Sequence, residues 1–118
     1  MQIPVQVSFH DLPVDDHIEA ECRREAQKLE RYFDRITSCR VVIAKPHRHH
    51  KKGNQLDVRI DLTLPGAEIV VNREPSPNHS EEEWQVTVRE AFDRARRRLE
   101  DHVHKMRGEV KNHDRERS

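Results

Sequence analysis

The segment from residue 55 to residue 64 places the tightest constraint on the fold of this chain. Apolar and polar residues alternate along it without a break, and the apolar ones are Leu56, Val58, Ile60, Leu62 and Leu64. Because strand side chains point alternately to opposite faces of a sheet, this pattern predicts a strand with one buried and one solvated face. Pro65 and Gly66 follow directly and are typical of a tight turn, so a return strand is predicted at 67–73.

Two more strands and a helix are predicted upstream. Alternation over residues 2–9 indicates a strand, and Pro4, which lacks an amide donor, places it at a sheet edge or a bulge. A second strand is expected at 36–45. Between them, residues 15–34 repeat apolar side chains at helical spacing, with Asp15 or Asp16 as the N-cap. The predicted apolar face of this helix comprises Ile18, Cys22, Ala26, Leu29 and Phe33.

A long helix is predicted from about Ser80 to residue 107, ended by Gly108. Its apolar face comprises Trp84, Val88, Ala91, Ala95, Leu99 and Met106. The fold class is therefore α+β, in the order β-α-β-β-β-α, with both helices on one face of a four-stranded sheet. Residues 1–107 form the single domain, and the polar residues 108–118 are expected to be a disordered tail. The expected core includes Ile18, Leu29, Leu56, Val58, Ile60, Trp84, Phe92 and Leu99.

Composition limits the function classes. With 118 residues, 33% hydrophobic and 37% charged, the chain fits one thin-cored domain. Cys22 and Cys39 fall on faces predicted to be buried, where they act as small hydrophobes. No GxSxG or GxxxxGK[ST] motif occurs, so we predict no enzyme and no cofactor. The N-terminus has no signal-peptide pattern and no apolar run is long enough to span a membrane, so a cytoplasmic protein is expected.

The hairpin at 45–52 is the most charge-biased segment. It contains no acid, three histidines and four cations, which are Lys45, Arg48, Lys51 and Lys52. A projecting positive loop of this kind suits RNA phosphates, although a merely solvated hairpin would look the same. A zinc or nickel site is the alternative for the histidines. His49 and His50 are adjacent and would point apart on extended backbone, so no metal site is predicted.

Both helices carry segregated charge. On the first, one flank is basic and the other acidic, and the basic residues are Arg24, Lys28 and Arg31. On the second, four arginines fall within residues 94–98, and Arg94, Arg97 and Arg98 are the predicted RNA contacts there. Surface ion pairing is the alternative explanation, since helical surfaces often carry such pairs.

Two ways of packing the helices are open. The acidic flank of the first helix could meet Arg94 and Arg98, which would make those arginines structural. Alternatively its basic flank could lie beside Arg89 and Arg96, which would give one continuous basic face. RNA binding favours the second arrangement.

Two segments carry a family resemblance. KLERYFDRITS (28–38) and VRIDLTLPGAEIVV (58–71), followed by an arginine-bearing helix, resemble the ribosome hibernation-promoting factor family, also called ribosome-associated inhibitors or sigma-54 modulation proteins. The resemblance covers residues 1 to about 107. It implies a protein that lodges in the mRNA and tRNA channel of the small ribosomal subunit and blocks translation during starvation or stationary phase. It also implies ribosomal RNA contacts from Lys28, Arg31, Arg94 and Arg97.

Some features depart from the family pattern. Glu100 and Asp101 stand where further basic residues are usual, and the histidine-rich hairpin is longer and more basic. The additional C-terminal domain of long members is absent, so ribosome dimerisation by this chain alone is not expected. A double-stranded-RNA-binding domain is the second candidate, but Glu81–Glu83 would repel phosphate at the start of its last helix. A protein-interaction domain that binds no RNA is the third.

Overall fold

A computed structural model describes residues 3–45, 56–73 and 84–117 of the chain, with side chains as far as Met106. The elements are β1 (Val5–His10), α1 (Asp16–Tyr32), β2 (Ser38–Ala44), β3 (Asp57–Leu64), β4 (Ala67–Arg73) and α2 (Trp84–Arg117). The predicted α+β class and the order β-α-β-β-β-α are confirmed.

The four strands form one mixed sheet in the order β1-β2-β3-β4. β2, β3 and β4 make an antiparallel meander, whereas β1 is parallel to β2, with Val5 opposite Cys39. A parallel neighbour requires a crossover connection, and α1 supplies it. Of the two alternatives predicted from Pro4, a sheet edge or a bulge, the structure shows the edge, because β1 and β4 are the two edge strands. The turn between β3 and β4 contains Pro65 and Gly66. Gly66 has a φ of 73°, which fits the third position of a type II turn.

Both helices pack on the same face of the sheet, and one hydrophobic core joins them to the strands. The predicted core residues are buried, with exposures of 6% or less, except Trp84. Trp84 is half-buried because it is the first residue of α2. Cys22 and Cys39 are both buried and free, as predicted.

α2 corrects two sequence predictions. It does not end at Gly108 but continues to Arg117. A single glycine inside a helix costs only about 1 kcal/mol, and the flanking Arg107 and Glu109 are good helix formers with no proline after them. Met106, predicted on the apolar face, is 42% exposed. A helix of 34 residues is about 50 Å long and extends past strands of about 25 Å. The domain limit at residue 107 stays a prediction.

The start of α1 resolves the choice between two caps. The Asp15 carboxylate accepts hydrogen bonds from the amides of His17 and Ile18 at 2.8 and 3.2 Å, so Asp15 is the N-cap. The cap predicted for α2, Ser80, lies outside the described residues. Among residues 3–45, 56–73 and 84–117, no helix is long and apolar enough to cross a membrane.

Candidate nucleic-acid interface

The predicted RNA contacts fall on three parts of the structure. Arg24, Lys28 and Arg31 are exposed on α1. Arg94, Arg97 and Arg98 are exposed on α2, along the β4 edge. Lys45 is exposed directly after β2, while Arg48, Lys51 and Lys52 lie outside the described residues.

The helices meet along a seam that contains one buried acid. Glu21 is 8% exposed, and its carboxylate lies 2.7 Å from Nη1 of Arg24 and 3.9 Å from Nε of Arg89. Arg96 follows Arg89 by two helical turns and therefore lies on the same flank of α2. We call Glu21, Arg24, Lys28, Arg31, Arg89 and Arg96 the interhelical seam.

The contacts of Glu21 decide between the two predicted packings. The basic flank of α1 lies beside Arg89, as the RNA-binding arrangement requires. The alternative, in which the acidic flank meets Arg94 and Arg98, is wrong. That acidic flank turns toward the chain just before β1, where a carboxylate oxygen of Glu30 accepts a hydrogen bond from the amide of Ile3 at 2.7 Å.

Ion pairs partly neutralise the seam. Arg24 pairs with Glu21, and Lys28 pairs with Glu25 at 3.0 Å, both at i,i+3 spacing. The two cations are mostly exposed, with side-chain exposures of 60% and 62%, although the Glu21 carboxylate is nearly buried. An RNA phosphate can therefore approach the solvent side of each cation. Arg31 and Arg96 are exposed, and in the described part of the chain neither has an ion-pair partner.

Three arginines of α2 line a groove beside the β4 edge, and we call Arg94, Arg97 and Arg98 the β4-edge cluster. Nη1 of Arg94 donates to the carbonyl oxygen of Asn72 at 2.9 Å. Nη1 of Arg98 donates to that of Val70 at 3.2 Å. Together with Arg97 and Val71, these residues line an open groove of about 290 Å³.

The acids around this groove leave its charge uncompensated. Glu90, one turn before Arg94, is bound instead to Arg73, with Nη2 of Arg73 2.6 Å from the Glu90 carboxylate. No described carboxylate forms an ion pair with the three arginines of the cluster. The groove therefore carries a concentrated positive charge suited to an anion.

The opposite sheet edge has a different chemistry. Nη1 of Arg23 donates to the Val5 carbonyl at 3.0 Å, but Arg23 also pairs with Glu19 at 3.0 Å. Glu30 accepts from the amide of Ile3 on the same edge. β1 is thus covered by both signs of charge, whereas β4 is covered by arginines.

Sequence reasoning assigned the α2 arginines to flanks but did not select Arg89 and Arg96 as contacts. The signal was present, because their helical angles place them opposite Arg94 and Arg98. No pattern in the sequence indicated that backbone carbonyls of β4 would accept hydrogen bonds from arginines of α2. The hydrogen bonds from Arg94 and Arg98 span 22 and 28 residues of sequence and depend on how α2 docks.

The chain is thus a β-α-β-β-β-α domain with arginines along one sheet edge and along the seam between its two helices. Residues 5–107 match the family described as Sigma 54 modulation protein / S30EA ribosomal protein, and the chain belongs to this family. The family resemblance seen in residues 28–38 and 58–71 is thereby confirmed.

Similar proteins agree with this assignment. The chain is 34% identical over 70 residues to a ribosome hibernation promoting factor of Azotobacter vinelandii, and the match covers 59% of this chain and 60% of that protein. The matched segment thus spans less than two thirds of that relative's length.

Two solved structures share the fold. One is a ribosomal subunit interface protein from Coxiella burnetii, with a TM-score of 0.68 and 12% identity, covering 86% of this chain and 98% of that one. The other is the N-terminal domain of Thermus thermophilus Protein Y, with a TM-score of 0.60 and 20% identity, covering 84% and 96%.

Proposed function

We propose that this protein binds the small ribosomal subunit through ribosomal RNA in the mRNA and tRNA channel and inhibits translation, promoting hibernation under stress or in stationary phase. The β4-edge cluster carries the proposal, because its arginines lie on α2 along the β4 edge and have no paired carboxylate in the described chain. The name of the Azotobacter vinelandii relative supports the ribosomal partner. The protein acts in the cytoplasm and by binding rather than by catalysis.

α2 gives this surface its shape. The β4-edge cluster lies on one flank of the helix, and Arg89 of the interhelical seam lies on the other. One helix can therefore contact RNA backbone on both of its sides. Arginine suits this role because its planar guanidinium can bind two phosphate oxygens at once.

The remaining predicted contacts extend this surface. Arg24, Lys28 and Arg31 add the α1 side of the interhelical seam. Lys45, Arg48, Lys51 and Lys52 add the hairpin that follows β2. We assign all of these residues to RNA phosphates.

Charge reversal tests this assignment. Arg31→Glu with Arg97→Glu alters two exposed arginines, one on each helix, that have no ion-pair partner among the described residues. Loss of two charge-assisted contacts should weaken binding to purified small subunits on the order of a hundred-fold or more. Affinity is measured by cosedimentation, and thermal unfolding checks the fold.

The matched control lies on the open face of the sheet. Arg40→Glu with Arg59→Glu reverses two exposed arginines there and changes the net charge equally. This pair should retain affinity within about threefold, as expected for residues outside the contact. Equal loss from both pairs, or no loss from the helix pair, would refute the assigned surface.

A further inference from the structure

The β4 edge presents its backbone in a particular way. In an antiparallel pair, alternate residues direct both N–H and C=O toward the partner strand or away from it. The carbonyls of Val70 and Asn72 accept hydrogen bonds from α2, so both residues face away from β3. Their amide N–H groups therefore point outward as well.

The arginines remove the acceptors from this edge and leave the donors. Nη1 of Arg94 and Nη1 of Arg98 occupy the outward carbonyls of Asn72 and Val70. In the described part of the chain, the outward amides of Val70 and Asn72 are left without an intramolecular acceptor. They lie beside the remaining N–H groups of Arg94 and Arg98 and beside Arg97, which lines the same groove. The result is a strip rich in hydrogen-bond donors. Capping of a sheet edge does not require this, because Glu30 accepts a hydrogen bond from the amide of Ile3, two residues before β1.

We propose that the β4 edge is a phosphate-binding strip, in which the amides of Val70 and Asn72 act together with the β4-edge cluster on the RNA backbone. Naming RNA as the source of the phosphate rests on the proposed function, whereas the preference for phosphate does not. Successive outward amides are about 7 Å apart along a strand, so two phosphate oxygens can be bound side by side. The strip also disfavours the addition of another β-strand, which needs free acceptors as well as donors.

Four acids of the described chain lie near the strip. Glu90 is bound by Arg73 and does not oppose an anion with a full charge. Glu68 lies two residues before Val70 on β4, and Asp93 and Asp101 each lie one turn from Arg97 on α2. All three are exposed, and among the described residues none forms an ion pair with Arg94, Arg97 or Arg98.

Amide chemical shifts test the strip directly on the native protein. ¹⁵N-labelled protein is titrated with inorganic phosphate at constant ionic strength, and separately with a short oligoribonucleotide. The amides of Val70 and Asn72 should shift more than those of Ile69 and Val71, which face β3. Equal shifts along the strand would overturn the proposal. A response to phosphate without a response to the oligoribonucleotide would retain the anion strip and overturn RNA as its source.

A proline substitution isolates the amide. Asn72→Pro removes the outward N–H but keeps the carbonyl that Arg94 binds, and an edge strand tolerates proline at such a position. Its matched control is Asn72→Ala, which alters the side chain alone. The proline variant should bind small subunits about tenfold more weakly than the alanine variant, as expected for one lost charge-assisted hydrogen bond.

The outcomes separate this proposal from the broader one. If the Arg31→Glu, Arg97→Glu pair loses binding while Asn72→Pro matches Asn72→Ala, RNA binding stands and the amide contact is wrong. If native protein fails to bind small subunits but phosphate still shifts the outward amides, the ribosomal assignment fails and the strip stands. Should Asn72→Pro not fold, Val70→Pro and Val70→Ala repeat the comparison at the other outward amide.

Discussion

At the scale of single residues, Glu21 organises the interhelical seam. It is a nearly buried acid in contact with Arg24 and close to Arg89, and it lies where a basic surface would be expected to exclude acids. Its carboxylate is hydrogen-bonded to Arg24 and lies 3.9 Å from Arg89, and its charge lowers the local positive potential. For the proposed RNA binding, the contacts of Glu21 with the arginines would be favourable, because they orient the guanidiniums. Its negative charge would be unfavourable, because it repels phosphate.

Glu21→Gln tests which effect dominates. Because the seam loses a negative charge, we expect affinity for small subunits to rise several-fold, while the free energy of unfolding falls by about 1 kcal/mol from the weakened hydrogen bonds. Cosedimentation and urea unfolding measure the two effects. Asp34→Asn, an exposed acid after α1, is the control. Weaker binding by Glu21→Gln would mean that Glu21 serves chiefly to orient the arginines.

The two cysteines are a second residue-scale feature. Burial raises the pKa of the Cys22 thiol from 9.0 to about 12, with a further contribution from neighbouring Cys39. Burial likewise raises the pKa of Cys39 to about 12. The folded state therefore holds both thiols protonated at pH values where the unfolded chain begins to ionise.

This difference predicts a pH dependence of stability. The pKa of each thiol is higher in the folded state than in the unfolded state. The stability that comes from keeping the thiols protonated is therefore complete below pH 9 and is lost as the pH rises toward 12. The free energy of unfolding should fall by up to about 1.4 kcal/mol per pH unit for each thiol in that window. Urea unfolding of native protein and of Cys22→Ala with Cys39→Ala measures it. The same slope in both proteins would contradict the prediction.

At the scale of elements, the spacing of apolar residues was sufficient to locate the helices and strands that pack into the core. The alternation in residues 55–64 predicted β3 within two residues, and helical spacing located α1 and the buried part of α2. The same patterns failed where burial stops. Gly108 and Met106 lie where α2 extends past the sheet, so periodicity there carried no information about the helix end.

Two glycines provide an element-scale test. Gly108 lies within α2, so Gly108→Ala should increase helical circular dichroism and stabilise the helix by about 0.5–1 kcal/mol. Gly66 has φ 73°, so Gly66→Ala should destabilise the domain by about 1–2 kcal/mol. Circular dichroism at 222 nm and thermal unfolding measure both variants. Destabilisation by Gly108→Ala would indicate that a left-handed glycine ends the helix after all.

The candidate site could be predicted only in part, because the sequence shows which residues share a helix flank but not how the helices dock. Helical spacing identified which cations share a flank, and all six predicted helix contacts are exposed. It did not show which flank of α2 meets α1 and which meets β4, because that depends on docking. The contacts of Arg98 with Val70 and of Glu21 with Arg89 fix the orientation.

At the scale of the whole molecule, a formal net charge of zero conceals a separation of charge. The chain has 22 basic and 22 acidic residues. Several acids are committed to internal pairs, including Glu21, Glu25 and Glu90. The β4-edge cluster is left positive, so association with a polyanion does not require a basic protein.

Small-subunit recognition through RNA phosphates is tested most directly by cosedimentation of the native protein with purified small subunits between about 50 and 200 mM salt, with large subunits as the control. If about five phosphates are contacted, affinity should fall on the order of a hundred-fold to a thousand-fold over this range, because each contact releases counterions. Large subunits, which also present RNA, should bind far more weakly at every salt concentration. Equal binding to both subunits, or an affinity that does not change with salt, would contradict small-subunit recognition through RNA phosphates.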